Sequence, residues 1–315
     1  MKKLRIALLS GGISSEREVS IKSGNQVYDA LDKEKYHIRR YDPKSDLKQL
    51  VTDAAEIDAA LIILHGPYGE DGTIQGLLDL LDIPYQGAGV LGSALAMNKL
   101  AAKQLYEKAG LPVPPYRVIR KGDMIEPEEF KNVPNYPLVV KPVSGGSSIG
   151  MSIVPSPEKM KEAVANAFRY DHTVLAEAYI KGTELTGGVL GNEETQALPI
   201  IEIIPGEGYD FFDYEAKYKP GATKEICPAR ISETLTETAQ DYAVTAHHAL
   251  FCRGYSRTDF ILENGNMYVL ETNTIPGMTQ TSLLPQAAKA AGIGFSQLLD
   301  RLINLSLEEH QKRRG

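Results

Sequence analysis

Cysteine is scarce in this sequence: Cys227 and Cys252 are the only two among 315 residues. Two thiols cannot build a disulfide framework or a cysteine-rich metal site, so both are expected as core thiols in a reducing compartment. Long apolar runs are also missing, and no stretch approaches the ~18 residues of a membrane span. Met1-Lys2-Lys3-Leu4-Arg5 opens like a signal peptide, but the apolar run Ile6 to Leu9 is too short for one, and Ser10-Gly11-Gly12 follows at once. A cytoplasmic protein with no membrane partner is expected. Nor is there an excess of positive charge: 34 Lys and Arg stand against 41 Asp and Glu, net −7. That argues against a nucleic-acid partner. An anionic ligand would have to be met by cations gathered at one site. The Ser10 to Glu16 loop lacks the glycine spacing of a dinucleotide fingerprint, which disfavours a dinucleotide-dependent dehydrogenase, and there is no Walker-type Gly-Lys-Ser/Thr.

What remains is an ordinary globular composition, 43% hydrophobic and 24% charged. The length sets a soft prior of about two domains. Over the first hundred residues, buried strands (Leu4 to Leu9, Ala59 to Leu64) alternate with helical spacing (Ser20 to Leu31, Leu47 to Ala55, Thr73 to Leu81). That order implies a parallel α/β layer with ligands beyond the carboxyl ends of its strands. A boundary falls near Asn98. A helix from Lys99 to Ala109 follows, then strands at Leu138 to Lys141, Met151 to Val154 and Thr173 to Ala178, with a helix from Pro157 to Phe168. The last third begins near Gly182. It reads as strands at Glu184 to Leu190 and Ala197 to Ile204, a helix over Ser232 to Cys252 capped by Ser232, and a hairpin of Ser256 to Leu262 with Met267 to Glu271. Two helical segments finish the chain, and His310 to Arg314 reads as a solvated basic tail.

Five segments carry possible chemistry. Ser10 to Glu16 joins a strand to a helix, where backbone amides favour anions, yet the Glu16 carboxylate suits an ammonium group better. An ordinary βα turn is the alternative. His65 to Thr73 places a histidine at a buried strand end before a Gly-rich acidic loop. It reads as an active-site loop or a structural one. Lys141 to Gly150 puts a lysine before a Gly/Ser loop between two strands, a pattern for holding phosphate, or a ligand-free hairpin. Asp259 on one hairpin strand, and Glu271 and Asn273 two apart on its partner, share a face by period-two alternation. Three oxygen donors there suit Mg²⁺ or Mn²⁺, with Arg257 as a neighbouring cation; solvated hairpin residues are the alternative. Phe212 to Tyr218 lies in a long Gly/Pro/Tyr-rich stretch and reads as a lid or a surface loop. His247-His248 is mid-helix, where neighbours point about 100° apart, so joint metal binding is not expected.

In order along nearly the whole chain, these segments resemble the D-alanine–D-alanine ligase family of the ATP-grasp superfamily. The resemblance rests on Gly11-Gly12-Ile13-Ser14-Ser15-Glu16-Arg17-Glu18-Val19-Ser20, on Leu64-His65-Gly66 with Gly69-Glu70-Asp71-Gly72, and on Val140-Lys141-Pro142. It continues with Gly146 to Ser152, Asp213 to Tyr218, Arg257-Thr258-Asp259 and Glu271 to Thr279.

It implies α/β and α+β layers in a three-domain ATP-grasp architecture. Residues 1–98 would form the N-terminal parallel α/β substrate domain, 99–182 the central domain and 183–315 the C-terminal catalytic domain. It implies ATP-dependent joining of two D-alanine molecules through an acyl phosphate, for peptidoglycan precursor synthesis, by a cytoplasmic homodimer. It assigns Lys99 and Lys141 to the α- and β-phosphates, Lys217 to the γ-phosphate and Ser148 to the nucleotide site. Glu177 with backbone groups of Ala178 and Ile180 would read adenine, and Glu184 the ribose. Asp259, Glu271 and Asn273 would hold two Mg²⁺ (or Mn²⁺) ions. Glu16 would grip the first substrate's ammonium with His65 nearby; Arg257 and the Gly277 N–H would form the oxyanion site. Ser282 and Leu283 would contact the second D-alanine. Tyr218, bonded towards Ser147 and Glu16, would close the lid and favour an amine acceptor over D-lactate. D-Serine and D-lactate remain alternative acceptors, and a non-catalytic nucleotide-binding module is the reading from a different class. Thr272, between the metal residues, is expected to point away from them.

Overall fold

The computed structural model describes residues 3–124, 136–146, 149–206 and 223–314. Three sheets organise these residues. The first is parallel, in the order β2-β1-β3, from β1 (Leu4–Ser10), β2 (Tyr36–Tyr41) and β3 (Ala59–Ile63). Alternation assigns the apolar side chains of β1 and β3 to one of two cores. Ala7, Leu9, Ala60 and Ile62 pack with Ile74 and Leu78 of α3 (Thr73–Leu80). Ile6, Leu8, Ala59 and Leu61 pack with Val27 of α1 (Arg17–Ala30) and with Leu298, Leu299 and Leu302 from the end of the chain.

The second sheet is antiparallel, in the order β4-β7-β5-β6, from β4 (Tyr116–Arg120), β5 (Leu138–Pro142), β6 (Ser152–Val154) and β7 (Thr173–Ala178). Leu138, Val140, Val154, Val174 and Ala176 form its core with α6 (Met160–Ala167). The opposite face carries Val139, Lys141, Ile153 and Glu177, which line a cavity. In sequence, α4 (Val90–Met97) and α5 (Lys99–Lys108) connect the first two sheets; the Asn98 side chain caps α5 by accepting from the Ala101 N–H at 2.9 Å.

The third sheet runs β11-β10-β8-β12-β13, with β9 also paired to β8. Its strands are β8 (Thr183–Gly191), β9 (Gln196–Ala197), β10 (Ile201–Pro205), β11 (Thr223–Ile226), β12 (Gly254–Glu263) and β13 (Asn266–Asn273). The helix Glu233–Ala249 (α7) covers one face, with Ser232 accepting from the Leu235 N–H at 3.3 Å as expected of its cap. Asn264 and Gly265 both have positive φ, 50° and 84°. That is the backbone a two-residue hairpin turn needs.

Some elements differ from the sequence reading. The strand expected over Ala197 to Ile204 is two strands, because Pro199 has no N–H for a ladder. The β2 and β4 edge strands and α4 were not anticipated. The basic end is largely exposed, as expected of a solvated segment, but it is helical: it forms the last turn of helix Phe295–Arg314 (α9), which follows α8 (Leu283–Ala290). His310 reaches Asp82 at 3.3 Å, Lys312 reaches Glu193 at 3.2 Å and Arg313 reaches Asp79 at 3.0 Å. The acidic partners lie on segments remote in sequence, which local composition does not reveal. No helix among the described residues is long and apolar enough to cross a membrane.

Candidate active site

The loops after β1 and β3 are tied together. The Ser14 hydroxyl donates to the His65 carbonyl at 2.7 Å and accepts from the Glu16 N–H at 3.2 Å. Ser20 on α1 accepts from the Gly11 N–H at 2.8 Å and donates to the Ile63 carbonyl. Glu16 stands at the start of α1 with its side chain buried. Gly66, at φ 71°, lets the chain pass so close that a Cβ there would meet the Glu16 carboxylate at 3.0 Å. His65 is buried. Burial holds its ring below the ordinary histidine value, against the opposing pull of Glu16 and a bond to the Ile275 carbonyl. Glu70 was not singled out from the sequence. Burial, then repulsion from Glu16, pushes its carboxyl up to about 8, although it accepts from the Gly66 N–H at 2.5 Å. The acidic, Gly-rich composition of its loop was the available signal.

The hairpin β12–β13 sets Asp259 opposite Glu271 and Arg257 opposite Asn273, with a bulge after Asp259. The carboxylate of Asp259 is held on both oxygens. Oδ1 accepts from the Thr186 hydroxyl at 2.6 Å and from Arg257 Nε at 2.9 Å. Oδ2 accepts from Arg257 Nη2 at 2.9 Å and from the Asn273 amide at 3.3 Å. Arg257 therefore grips Asp259 itself, rather than standing beside it as a separate cation. Thr272 points to the other face, where it is buried, accepts from the Tyr106 hydroxyl at 2.7 Å and lies 2.9 Å from the Thr258 hydroxyl. Two carboxylates and an amide oxygen on one strand edge are hard donors. They fit a divalent cation that takes its remaining ligands from water and phosphate. Thr186 and Tyr106, which brace this edge, were missed because their partners are distant in sequence.

On the second sheet, the buried Glu177 carboxylate stands 2.9 Å from Lys141 Nζ and 3.4 Å from Lys103 Nζ. Lys103 was also missed; its position inside an amphipathic helix gave no sign of its partner. The Ala178 N–H is spent on the Pro115 carbonyl at 2.9 Å, so it is not open to a ligand. Lys99 donates from Nζ to the Gly145 carbonyl. In the loop before α8, Ser282 Oγ accepts from the Thr279 N–H at 3.0 Å.

Two cavities collect these groups. The larger, about 610 Å³, is lined by Glu16, His65, Glu70, Arg257, Asn273, Gly277, Ser282 and Leu283. The smaller, about 160 Å³, is lined by Lys141, Glu177, Ala178, Ile180, Glu184 and Asp259. Lys99, Gly145, Gly146 and Glu271 line both, so the cavities meet there. Every site residue expected from the sequence that falls among the described residues lines one cavity or both. Ser147, Ser148, Lys217 and Tyr218 lie outside the described residues. His247 and His248 line neither cavity; the buried His247 ring pairs through Nδ1 with the Ser256 hydroxyl at 2.7 Å.

Comparison with known proteins gives this geometry a context. Residues 105–304 match the family model for the D-ala D-ala ligase C-terminus, and residues 41–88 match the one for its N-terminus. A protein of Syntrophobacter fumaroxidans named D-alanine--D-alanine ligase is 61% identical over 98% of this chain and 99% of its own. The crystal structure of D-alanine--D-alanine ligase from Bacillus anthracis complexed with ATP matches with a TM-score of 0.87 at 37% identity, covering 98% of this chain and 99% of that one. The VanG D-Ala:D-Ser ligase of Enterococcus faecalis matches with a TM-score of 0.83 at 32% identity, over 97% of this chain and 100% of that one. Both family models and relatives spanning the whole length agree with the ordered motifs, and the chain belongs to the D-alanine–D-alanine ligase family of ATP-grasp proteins.

Proposed function

We propose that this protein is a D-alanine–D-alanine ligase. It uses ATP to activate the carboxylate of one D-alanine as an acyl phosphate, releasing ADP. The amine of a second D-alanine then attacks that carbonyl and expels phosphate, giving the dipeptide for peptidoglycan precursors. A carboxylate is a poor electrophile, and phosphorylation supplies the leaving group it lacks. The observation that carries this reading is the junction of the two cavities at Lys99 and Glu271. A nucleotide in the smaller cavity can there present its terminal phosphate to a carboxylate in the larger one.

The roles follow from placement and charge. In the smaller cavity Lys99 and Lys141 take the α- and β-phosphates, Glu177 and Ile180 the base and Glu184 the ribose. In the larger cavity Glu16 binds the first ammonium beside His65. Arg257 and the Gly277 N–H stabilise the oxyanion of the tetrahedral intermediate. Ser282 and the Leu283 N–H, at the start of α8, receive the carboxylate of the second D-alanine. Asp259, Glu271 and Asn273 are the residues to hold two Mg²⁺ or Mn²⁺ ions, which when bound neutralise charge on the transferring phosphoryl group. Ser147, Ser148, Lys217 and Tyr218 complete the phosphate site and lid. The three-domain division at 98 and 182 separates the substrate loops from the two nucleotide-holding layers. We also propose a cytoplasmic homodimer. Exposed Val90 and Leu91 at the start of α4 and Phe251 just beyond α7 lie near one another, since Gly92 packs on the Leu250 and Phe251 carbonyls, and they offer an apolar contact for the second copy.

Incubation with ATP, Mg²⁺ and D-alanine should release ADP and phosphate and form the dipeptide, with no turnover on L-alanine. Absence of D-alanine-dependent ADP release rejects the reading. The D-Ala:D-Ser likeness makes D-serine the acceptor to run alongside, with D-lactate. A higher kcat/KM for either would move the assignment to that acceptor.

A further inference from the structure

Five carboxylates line the larger cavity, those of Glu16, Glu18, Glu70, Glu225 and Glu271, yet both amino acids it would receive carry a carboxylate of their own. Three lysine and arginine side chains line it among the described residues: Lys22, Lys99 and Arg257. Arg257 is forked onto Asp259, and Lys99 stands at the junction with the smaller cavity. Lys22 is exposed and makes no hydrogen bond or ion pair among the described residues, not even with Glu18 four residues before it. Glu225 already accepts from the Thr223 hydroxyl at 3.2 Å and from the Gln286 amide at 2.8 Å. Lys22 shares one stripe of α1 with Val19 and Ser23, which also line the cavity. One turn further on, Gln26 accepts from the Gln280 N–H at 2.9 Å, which ties this face of α1 to the loop leading into Ser282 and α8. Helix side chains lean towards the N-terminus, so Lys22 extends from that tie back over the cavity.

We propose that Lys22 determines acceptor specificity: its ammonium meets the carboxylate of the second D-alanine beside Ser282 and the Leu283 N–H, so that the acceptor must carry a free carboxylate. Ser282 Oγ accepts from the Thr279 N–H and has one proton to give, with the Thr279 hydroxyl 2.7 Å away as a rival acceptor. A hydroxyl and a helix start are neutral donors, and they stand in a cavity whose wall is mostly acidic. A lysine charge offsets that field for an incoming anion and makes the stronger, charge-assisted contact. It also tells the two substrate carboxylates apart. The first must reach the phosphoryl group at Lys99 and Glu271. The second is held by Lys22, which lines the larger cavity alone. It is thereby kept from phosphorylation while its amine stays free to attack.

The inference rests on reading the start of α8 as the acceptor's place. Its test is steady-state kinetics of the full chain with ATP and Mg²⁺, resolving a KM for each D-alanine. Lys22→Met should raise the second KM about fivefold, the scale of a partly exposed ion pair. The first KM and kcat should change less than about twofold, because the contact is made equally before and during the reaction. Lys22→Gln should behave as Lys22→Met does, and Lys22→Arg should stay within about twofold of wild type. Added tetramethylammonium chloride should raise the second KM of wild type by screening, and that of Lys22→Met much less. D-Alaninamide supplies a second readout, since it has an amine but no carboxylate to be bound or phosphorylated. In competition, wild type should favour D-alanine over it as acceptor, and Lys22→Met should reduce that preference about fivefold. An equal rise in both KM values, an unchanged second KM, or an undiminished preference in Lys22→Met overturns the inference. Ser282→Ala separates the two levels. An unchanged second KM in that variant overturns the placement of the acceptor itself. A raised one, beside an unaffected Lys22→Met, overturns the role of Lys22 alone.

Discussion

Asp259 and Glu271 stand directly opposite one another on neighbouring antiparallel strands. Like charges in that register repel. Arg257 compensates by forking onto both oxygens of Asp259, and Glu271 is left facing both cavities. An edge arranged in this way favours a cation and is expected to bind it through both carboxylates.

Glu271→Gln removes the negative charge at the junction while keeping its shape. Turnover should fall at least ~10³-fold, the scale of losing a principal electrostatic group at a reacting phosphoryl. Stability should shift by no more than about 0.5 kcal/mol, since the substitution also relieves the repulsion with Asp259. Steady-state kinetics with a melting curve reads both. A near-wild-type rate rejects the metal assignment.

Thr186→Val probes the brace behind the same edge. The Thr186 hydroxyl lies 2.6 Å from Asp259 Oδ1 and also 3.2 Å from the Thr258 carbonyl. A hydrogen bond to a charged group is worth about 1.5–3 kcal/mol. Mn²⁺ affinity, followed by its electron paramagnetic resonance signal with ATP present, should weaken about tenfold or more. Unchanged affinity would show that Asp259 is held by Arg257 and Asn273 alone.

Glu70 gives a pH signature with a defined sign. Its carboxyl sits at about 8 in the folded chain, raised from the ordinary 4.5 by burial first and by Glu16 second. Between those values the folded state binds more protons than the unfolded state, so this group makes stability fall as pH rises from 4.5 towards 8. Glu70→Gln cannot ionise, and its amide oxygen can still accept from Gly66. Melting temperatures across that window should decline less steeply in the variant. Parallel profiles for both proteins would rule out an elevated Glu70.

Much of this site was legible because the family motifs are contiguous and sit at strand ends. Glu16, His65, Asp259, Glu271 and Asn273 could each be placed from a few neighbouring residues. Lys103, Thr186 and Tyr106 could not, since each acts through a partner that only the fold supplies. The same reason separates the elements. The β1 and β3 strands are apolar on both faces and announce themselves, whereas β2 reads Tyr-His-Ile-Arg-Arg-Tyr and is buried mainly at its two ends. An edge strand of that kind carries neither a continuous apolar run nor a clean alternation. The helix α4, with Gly92 near its middle, has too short a pattern to separate a buried helix from a strand.

The end of the chain offers the last test. Leu302 of α9 is 1% exposed and belongs to the same core as Ile6, Leu8 and Leu61 of the first sheet. The helix that follows the third sheet in sequence thus seals one face of the sheet that carries the Glu16 and His65 loops. Leu302→Ala removes buried volume where β1 and β3 are fixed on both faces and have little room to collapse, so it should cost about 2–5 kcal/mol. Denaturant unfolding measures that cost directly. Loss of packing under β1 and β3 should also loosen the first-substrate loops. The KM for D-alanine should therefore rise before nucleotide affinity changes. A cost below about 0.5 kcal/mol, the level of an ordinary surface substitution, would show that α9 only rests on the sheet and does not form part of its core.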